Sequence, residues 1–340
     1  MHADQANRLG RSDVSVTALG LGGAPFGNMY AALPETQVTA AIDAAWQAGV
    51  RFFDTAPLYG HGLSEHRMGH ALRQRPRDDY VLSTKVGWML RPADPSSFDA
   101  GLFKRTLPFA RETDYSHDAV MRSFEDSLQR LGMHRIDLLL IHDVDIWTHG
   151  SREAWRQRLR EVADGAYKAI ARLRDEGVVK AIGAGVNESE ACMALTEIGD
   201  FDAFLLAGRY TLLEQNALDD LLPRCAERGI GIVIGGPYNT GILATGAIEG
   251  AYYNYQPAPP EIMDRVSAIE TVCARHEVTL ASAALQFPLA HPVVASVVPG
   301  AVSAGEVERN VATIGAPIPA DLWAELKADG LLRADAPTPD

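Results

Sequence analysis

The sequence predicts an α/β protein built as a (β/α)8 TIM barrel, with an N-terminal β-hairpin and long loops on the C-terminal face. Eight short apolar segments alternate with helical segments along a chain of 340 residues. The segments are apolar along their whole length, which is typical of parallel strands covered by helices on both faces. Eight such units in a chain of this length close most naturally into a barrel. An open doubly wound sheet is the alternative.

The predicted elements follow one another in regular order. A turn at Ser12 and Asp13 predicts the hairpin. Strands are predicted at residues 17–21, 50–53, 80–86, 136–141, 178–186, 203–206, 230–234 and 293–298. Helices are predicted at residues 34–48, 64–72, 116–131, 162–173, 191–198, 218–225, 262–273, 279–289 and 303–311, several of them ended by glycine. Two long irregular loops are predicted at residues 88–115 and 235–260.

No change in composition marks a second domain, so residues 1–332 are predicted to form one barrel domain. The segment 333–340 is rich in Ala, Asp and Pro and is expected to be a disordered tail.

The composition excludes several classes of partner. The formal net charge of −13 argues against nucleic acid and against an anionic membrane surface. No run of 18 apolar residues is present, and residues 1–13 lack the apolar core of a signal peptide. The three cysteines, Cys192, Cys225 and Cys273, fit apolar helix faces better than a disulfide framework. We therefore expect a cytoplasmic protein, a monomer or small homo-oligomer, that acts on a small molecule.

Four polar residues stand at or just beyond the ends of predicted strands. Asp54 ends one strand and Tyr59 lies in the loop after it, Lys85 lies near the end of the next strand, and His142 follows the fourth. Asp54, Tyr59 and His142 each have an ordinary structural explanation when taken alone, whereas a lysine in a buried strand needs a charge partner. Because strand C-termini share one face of a barrel, we expect all four to meet there.

These four residue types together can transfer a proton. The ammonium of Lys85 is expected to lower the pKa of Tyr59, and the carboxylate of Asp54 to keep the lysine charged. His142 would orient a substrate oxygen or share its proton. The pattern predicts a tyrosine acid/base at a carbonyl or alcohol oxygen. A serine or cysteine nucleophile is not indicated, since no G-x-S-x-G turn is present.

Two other ligand-binding patterns are weak. The glycines around Gly22 and Gly23 do not form a dinucleotide fingerprint, because Pro25 stands where its last glycine belongs. A cluster of His61, His66 and His70 with Glu65 lacks the H-E-x-x-H order, so a solvated helix face is favoured and no metal site is expected.

The chain resembles the aldo-keto reductases over residues 8–330. The resemblance rests on Phe53-Asp54-Thr55-Ala56 with Tyr59-Gly60, on Ser83-Thr84-Lys85, on the stretch from Ser123 to Gly132, on Ile136-Asp137-Leu138 with His142, and on Val298-Pro299-Gly300 with Asn310. It implies a TIM barrel, a nicotinamide cofactor without a Rossmann fold, Tyr59 as acid/base, Lys85 and Asp54 as its tuning residues, and His142 as the substrate-orienting residue.

Other strings indicate a branch of that family. Residues 182–188 and 235–241 look like the aldose 1-dehydrogenases, which include the L-fucose, D-threo-aldose and L-galactose enzymes, with pyridoxal 4-dehydrogenase as a close relative. Three family features are absent: the serine before Asn187, the glutamine near Ala207 and Gly208, and the aromatic residue near Gly235 and Gly236.

The resemblance implies NAD-dependent oxidation of the C1 hydroxyl of a cyclic aldose to its lactone. Oxidation of pyridoxal to its lactone is the first alternative. A cofactor-binding redox sensor or channel-subunit-like barrel is the second, and a metal-dependent hydrolase the third.

The cofactor and substrate residues follow from the resemblance and from position. The expected cofactor residues are Gly22, Gly23, Asn187, Gly235, Gly236, Pro237, Gly241, Gly300, Val302, Ser303, Glu306, Arg309 and Asn310. Gly300 and Glu306 stand where NADP-preferring members carry Lys and Arg, so NAD is expected to be preferred. A first-turn carboxylate that favours the helix dipole is the alternative explanation of Glu306. Trp88, Asp143 and Trp147 are the expected substrate contacts, from their position at the barrel mouth.

Overall fold

The structure, a computed structural model, describes residues 1–339 and contains the predicted barrel. Its strands are β1 (Ala6–Arg8), β2 (Ser15–Thr17), β3 (Leu21–Gly22), β4 (Phe52–Asp54), β5 (Val81–Val86), β6 (Trp88–Pro92), β7 (Phe109–Thr113), β8 (Leu138–His142), β9 (Ala181–Val186), β10 (Ala203–Ala207), β11 (Gly231–Gly235), β12 (Tyr252–Tyr253), β13 (Gln256–Pro257) and β14 (Val294–Val298).

Eight of these strands form one parallel sheet in the order β3-β4-β5-β8-β9-β10-β11-β14. The sheet closes on itself next to β3, where the amide of Gly20 donates to the carbonyl of Val297 at 2.9 Å and the amide of Val297 donates to Ala18 at 2.9 Å. The TIM-barrel prediction is therefore confirmed.

The helices cover the outside of the barrel. They are α1 (Glu35–Gln47), α2 (Leu63–Leu72), α3 (His117–Leu131), α4 (Ile146–His149), α5 (Arg152–Glu161), α6 (Tyr167–Asp175), α7 (Ser189–Thr196), α8 (Leu221–Arg228), α9 (Ile242–Thr245), α10 (Pro260–Arg275), α11 (Leu280–Leu289), α12 (Ala304–Gly315) and α13 (Ala320–Ala328). The local signals explain their ends. For example, Ser116 accepts a hydrogen bond from the amide of Ala119 at the start of α3, and Gly132 ends that helix at φ 63°.

The core has two parts, one inside the barrel and one between the barrel and its helices. The interior is closed at its N-terminal end by the hairpin β1–β2, whose Leu9, Val14 and Val16 are buried against Phe52 and Leu138. Because this end is filled with apolar side chains, the open end of the barrel is the opposite one, where the strands terminate in polar residues.

Several predictions made from the sequence need correction. The segment 88–115 was expected to be irregular, but it contains the antiparallel hairpin β6–β7. The segment 235–260 contains the short helix α9 and the hairpin β12–β13. Helices α4, α5 and α13 were not predicted. No helix within the described part of the chain is long and apolar enough to cross a membrane.

The start of the expected tail packs against the barrel. The amide of Arg333 donates to Gln215 at 3.0 Å, its guanidinium pairs with Asp219 at 2.5 Å, and Ala336 is buried. In the part of this segment that the structure describes, a cation is therefore paired and a small apolar residue is buried. Asp340 lies outside the described residues.

Candidate active site

The barrel brings Asp54, Lys85, His142 and Tyr59 together at the C-terminal ends of its strands. Lys85 Nζ donates to Asp54 Oδ2 at 2.7 Å, to the carbonyl of Thr55 at 2.9 Å and to Tyr59 Oη at 3.1 Å. The rings of Tyr59 and His142 lie 5.7 Å apart, edge to face. The predicted meeting of the four side chains is therefore present in the structure.

The lysine and the aspartate form a buried ion pair. Their side chains are 1% and 5% exposed, and Ser83 Oγ donates to the second oxygen of Asp54 at 2.7 Å. A buried ammonium or carboxylate is costly unless it is paired and hydrogen-bonded, and here each is. Lys85 therefore stays charged and is aimed at the phenol oxygen of Tyr59.

The protonation state of Tyr59 differs from the one expected from the sequence. Burial raises the pKa of Tyr59 well above 10, and the carboxylates of Asp54 and Asp143 raise it further. In the protein alone, the pKa of Tyr59 is therefore raised overall and not lowered as the sequence led us to expect. Desolvation of the phenolate and two nearby negative charges outweigh the one ammonium, so Tyr59 is a neutral phenol that can donate a proton.

His142 is a neutral imidazole. Burial lowers its pKa well below 6.5, and the ammonium of Lys85 lowers it further. Its Nδ1 is fully covered and has no hydrogen-bond partner among residues 1–339, whereas Nε2 lies 3.5 Å from Asp143 Oδ1. Since the residue lines the open cavity, Nε2 is the nitrogen that a substrate oxygen can reach.

A cavity of about 490 Å³ opens beside Tyr59 and His142. The three predicted substrate residues, Trp88, Asp143 and Trp147, all line it. Tyr255, from the loop after β11, lines it as well. Met29, Phe103 and Arg111 are among the lining residues that were not expected from the sequence, and the last two lie in the segment 88–115. The pairing of β6 with β7 places the guanidinium of Arg111 5.5 Å from the Trp88 ring.

Asp143 places a carboxylate in this cavity and is tightly held. Its backbone is left-handed at φ 55°, its Oδ2 accepts from Trp88 Nε1 at 2.9 Å, and its Oδ1 accepts from Asn187 Nδ2 at 3.3 Å. Burial raises the pKa of Asp143 to about 7, and the neighbouring carboxylate of Asp145 contributes to the rise. A left-handed non-glycine residue beside a reactive group is a common feature of functional sites.

Asp145 has a structural task. Its Oδ2 accepts from both the amide and Nδ2 of Asn187, at 2.7 and 2.9 Å, and its Oδ1 caps α4 through the amide of Thr148. The carboxylate thereby holds Asn187 at the boundary between the first cavity and a second one, since Asn187 lines both.

The second cavity, of about 450 Å³, continues on the other side of Tyr59. It holds most of the residues expected to bind the cofactor. Those that line it are Gly22, Gly23, Asn187, Gly235, Gly236, Pro237, Gly241, Gly300, Val302 and Glu306. The remaining three expected residues do not line this cavity. Ser303 caps α12, Arg309 is exposed, and Asn310 accepts from the hydroxyl of Tyr238 at 2.9 Å.

Backbone builds most of this second cavity. The backbone is left-handed at Gly236, Asn239, Thr240 and Gly241, which turns peptide groups into a concave surface of the kind that binds phosphates. A side chain at Gly235 would place its Cβ 2.8 Å from Leu205. The buried Asn239 Oδ1 has no partner within residues 1–339. A glycine-lined cleft with an unused acceptor fits a dinucleotide.

Glu306 and Gly300 lie at the far end of the second cavity. Glu306 Oε2 accepts from the amide of Val302 at 2.9 Å while Ser303 Oγ accepts from the amide of Glu306, so the two residues cap α12 reciprocally. Glu306 Oε1 is 4.0 Å from Arg309. The carboxylate thus has a structural role and also faces the cleft. At Gly300 a Cβ would lie 2.7 Å from Pro25.

One cluster missed in the sequence fastens the segment 235–260 to the barrel. Arg209 donates to the carbonyl of Asn187 at 2.8 Å and to Asn254 Oδ1 at 2.9 Å, and Glu214 accepts from the hydroxyl of Tyr253. Arg209 lines the second cavity. Arg209 stands just beyond Ala207 and Gly208, the positions near which the glutamine of the family is absent. A charged residue so soon after a buried strand is a signal from which its role in the site could have been predicted.

The histidine cluster considered as a metal site is dispersed. His61 is buried with Nδ1 2.5 Å from the carbonyl of Phe109, whereas His66 and His70 are exposed on α2. Glu65 is buried in an ion pair with Arg130 at 2.5 Å. In the described part of the chain, no group of three or more His, Cys, Asp or Glu side chains is placed to hold a metal ion.

The fold defines the chain as a (β/α)8-barrel protein, and comparisons with known proteins define its family. The model of the aldo/keto reductase family matches residues 18–329. The chain therefore belongs to the aldo/keto reductase family and is an oxidoreductase. The resemblance inferred from the sequence motifs is confirmed.

Individual relatives show the same branch of the family. The chain is 40% identical to a pyridoxal 4-dehydrogenase from Microbacterium luteolum, over 98% of this chain and 99% of the relative. It is also 40% identical to a D-threo-aldose 1-dehydrogenase from a Pseudomonas species, over 96% of each chain. A solved aldo-keto reductase from Bacillus halodurans, in its holo form, superposes with a TM-score of 0.74 at 27% identity, over 98% of this chain and 97% of that one.

Proposed function

We propose that the protein oxidises the C1 hydroxyl of a cyclic aldose, of the L-fucose, D-arabinose or L-galactose type, to its lactone, with NAD as the hydride acceptor. The observation that carries this proposal is the buried pair of Lys85 and Asp54 directed at the oxygen of Tyr59, beside a cavity that also exposes His142. The relative that acts on a D-threo-aldose supports the choice of sugar.

In this proposal the side chains divide the work of moving one proton. Tyr59 first releases its phenol proton to solvent. His142 Nε2 then holds the C1 oxygen, and the C1 hydroxyl gives its proton to the resulting phenolate oxygen as the C1–H bond breaks and C1=O forms. Lys85 stabilises the phenolate, and Asp54 keeps Lys85 charged. The nicotinamide, when bound, accepts the hydride, and its positive charge favours the phenolate of Tyr59.

The second cavity is the proposed cofactor site. Gly22, Gly23 and Asn187 would hold the nicotinamide end next to Tyr59, and Gly235, Gly236, Pro237 and Gly241 the phosphates. Gly300, Val302, Ser303, Glu306, Arg309 and Asn310 would surround the adenosine. A preference for NAD over NADP follows from Glu306, since a carboxylate repels a 2′-phosphate and accepts hydrogen bonds from a 2′-hydroxyl.

The test is a substrate panel followed by nicotinamide reduction. Purified protein is given NAD or NADP with L-fucose, D-arabinose, L-galactose, D-glucose or pyridoxal, and the product is identified by NMR. We expect one of the aldoses to give the highest kcat/KM with NAD and to yield its lactone. Turnover should be lost in Tyr59→Phe, which ties it to this site. Failure of all three expected aldoses would contradict the proposal.

Pyridoxal is the second candidate substrate. The first cavity has aromatic walls in Trp88, Phe103, Trp147 and Tyr255, and a flat heteroaromatic ring stacks on such side chains. A relative with 40% identity is a pyridoxal 4-dehydrogenase. A kcat/KM for pyridoxal that exceeds every sugar, with the pyridoxal lactone as product, would establish this alternative.

A role outside catalysis predicts a different outcome of the same panel. A redox sensor or a channel-associated barrel would bind the cofactor without appreciable turnover of any substrate. We further propose a cytoplasmic location, which the three buried and unpaired cysteines support.

A further inference from the structure

Asp143 lies beside the nitrogen of His142 that can hold the reacting oxygen. Its Oδ1 is 3.5 Å from His142 Nε2, the nitrogen available to that oxygen. Neighbouring hydroxyl oxygens on a sugar ring are about 3 Å apart, close to the length of one hydrogen bond. The group that Asp143 can reach is therefore the one attached next to the reacting carbon.

The carboxylate of Asp143 has capacity left for a ligand. Its Oδ2 accepts one short hydrogen bond from Trp88 Nε1 at 2.9 Å, whereas its Oδ1 has two longer contacts, with Asn187 Nδ2 at 3.3 Å and with His142 Nε2 at 3.5 Å. Two carboxylate oxygens offer about four acceptor positions. The side chain is 13% exposed and lines the first cavity, so a substrate hydroxyl can approach it.

Asp145, the neighbouring carboxylate, has no such free acceptor positions for a ligand. Asp145 is fully buried, and its oxygens are taken by the amide of Thr148 and by two donors of Asn187. Asp145 therefore anchors Asn187. Asp143 has a left-handed backbone and a hydrogen bond from Trp88, and its carboxylate lines the first cavity. Of the two carboxylates, Asp143 is the one that a substrate can use.

We propose that Asp143 accepts a hydrogen bond from the C2 hydroxyl of the aldose and thereby decides which way round the sugar ring binds. In a cyclic aldose, C1 is flanked by C2, which carries a hydroxyl, and by the ring oxygen, which has no hydrogen to donate. A carboxylate attracts the first and repels the second. With C2 on the side of Asp143, the ring oxygen faces away from it and the C1–H bond has one fixed direction.

This inference rests on the proposed function, because it concerns sugars oxidised at C1. It predicts a requirement for the C2 hydroxyl that depends on Asp143. A hydrogen bond to a charged group changes an affinity or a kcat/KM by roughly 10- to 100-fold. Wild-type protein should therefore prefer L-galactose over 2-deoxy-L-galactose by about 10- to 100-fold in kcat/KM.

The test measures kcat/KM at pH 8, where Asp143 is a carboxylate, for three sugars in wild type, Asp143→Ala and Asp143→Asn. L-galactose and 2-deoxy-L-galactose differ at C2, and L-galactose and L-fucose differ at C6, which is remote from C1. Glu112→Gln serves as the matched control, because Glu112 is a carboxylate on the neighbouring hairpin that is 51% exposed and pairs with Arg91. Intrinsic reactivity differences between sugars cancel when the ratios of two proteins are compared.

We expect Asp143→Ala to reduce the C2 preference to within about threefold, and Asp143→Asn to give an intermediate value, because its amide oxygen is a neutral acceptor. The C6 ratio should stay unchanged in both, and Glu112→Gln should behave as wild type. An equal loss of kcat/KM on all three sugars, or a wild type that does not distinguish the 2-deoxy sugar, would overturn the inference while leaving the proposed function standing. If wild type oxidises none of the sugars, the proposed function fails first and the inference fails with it.

Discussion

The two halves of the cleft are built from different materials. On the substrate side, buried polar side chains from strands β4, β5 and β8 supply the chemistry, and two of them form the ion pair of Lys85 with Asp54 at 2.7 Å. The wall on the cofactor side contains seven glycines and a run of left-handed backbone at Gly236 and Asn239 to Gly241. Tyr59 and Asn187 lie between the two and line both.

This difference predicts how each half responds to substitution. Where one side chain supplies the chemistry, its removal leaves nothing in its place, and a buried partner loses its counter-charge. Where many peptide groups share a ligand, one side chain contributes a modest fraction of the binding. Substitutions should therefore have large effects in the substrate half and small ones in the cofactor half.

Tyr59→Phe should give the largest effect. It removes the phenol oxygen to which Lys85 donates a hydrogen bond, so kcat should fall by about 10² to 10⁴. The dissociation constant of the cofactor should stay within a factor of a few. Tyr255→Phe is the matched control, since Tyr255 lines the same two cavities but does not contact Lys85. A near-normal kcat in Tyr59→Phe would break the assignment of Tyr59 as the acid/base.

Lys85→Met should strongly destabilise the fold as well as abolish turnover. It leaves the carboxylate of Asp54 buried and unpaired, which costs about 3–5 kcal/mol in the free energy of unfolding. Adding Asp54→Asn should restore part of that loss. Urea unfolding measures all three proteins, with Arg91→Met as the control, because its exposed pair with Glu112 is worth only about 0–1 kcal/mol. Equal losses in Lys85→Met and Arg91→Met would show that the buried pair is not special.

Asp143→Asn should stabilise the protein, and only at higher pH. Burial raises the pKa of Asp143 from 3.8 to about 7, so the folded state binds an extra proton between these values and loses stability as pH rises through them. The penalty is absent below pH 4 and complete above pH 7. At pH 8 the variant should be more stable than wild type by about 2–4 kcal/mol, since one pKa unit is about 1.36 kcal/mol.

Thermal or urea unfolding at pH 4 and pH 8 provides the comparison for Asp143. The difference between variant and wild type should grow with pH, whereas Glu112→Gln should show no such trend. A constant difference across the pH range would show that Asp143 is ionised with an ordinary pKa. The ionised carboxylate of Asp143 would then destabilise the folded protein less than its burial indicates.

Glu306→Arg should give the smallest effect, because it lies in the cofactor half. Wild type should favour NAD over NADP by at least about tenfold in kcat/KM, and the variant should lose that preference. Gly300 is left unchanged, since a Cβ there would lie 2.7 Å from Pro25. Glu308→Arg is the control on the exposed side of α12. Wild type favouring NADP would contradict the proposal for this end of the cleft.

Much of the fold was predictable because its signal is local and repeated. Eight apolar segments with helices between them specify a barrel whatever their exact ends. The hairpin β6–β7 was not predicted, since Pro92, Pro95 and Pro108 interrupt its pattern and a proline normally excludes regular strand pairing. Helix α13 was missed because its sequence, Ala320–Ala328, lacks a strong capping residue at Pro319.

The two halves of the candidate site were predictable to different degrees. Charged residues at the ends of apolar strands stand out in a sequence, so Asp54, Lys85 and His142 could be found. The raised pKa of Tyr59 could not, because it depends on burial and on Asp143, which approaches from another strand. The cofactor half depends on backbone dihedral angles at residues such as Asn239 and Thr240, which their identities do not determine.

The central claim is that the site removes a hydride from C1 of an aldose while Tyr59 takes the hydroxyl proton. The most direct measurement uses L-galactose carrying deuterium at C1, with NAD, and follows the deuterium by NMR or mass spectrometry. The account predicts that the deuterium appears on the reduced nicotinamide, that the sugar becomes the C1 lactone, and that both products vanish in Tyr59→Phe. Deuterium retained at C1 of the oxidised sugar, or lactone formed at an undiminished rate by Tyr59→Phe, would contradict it.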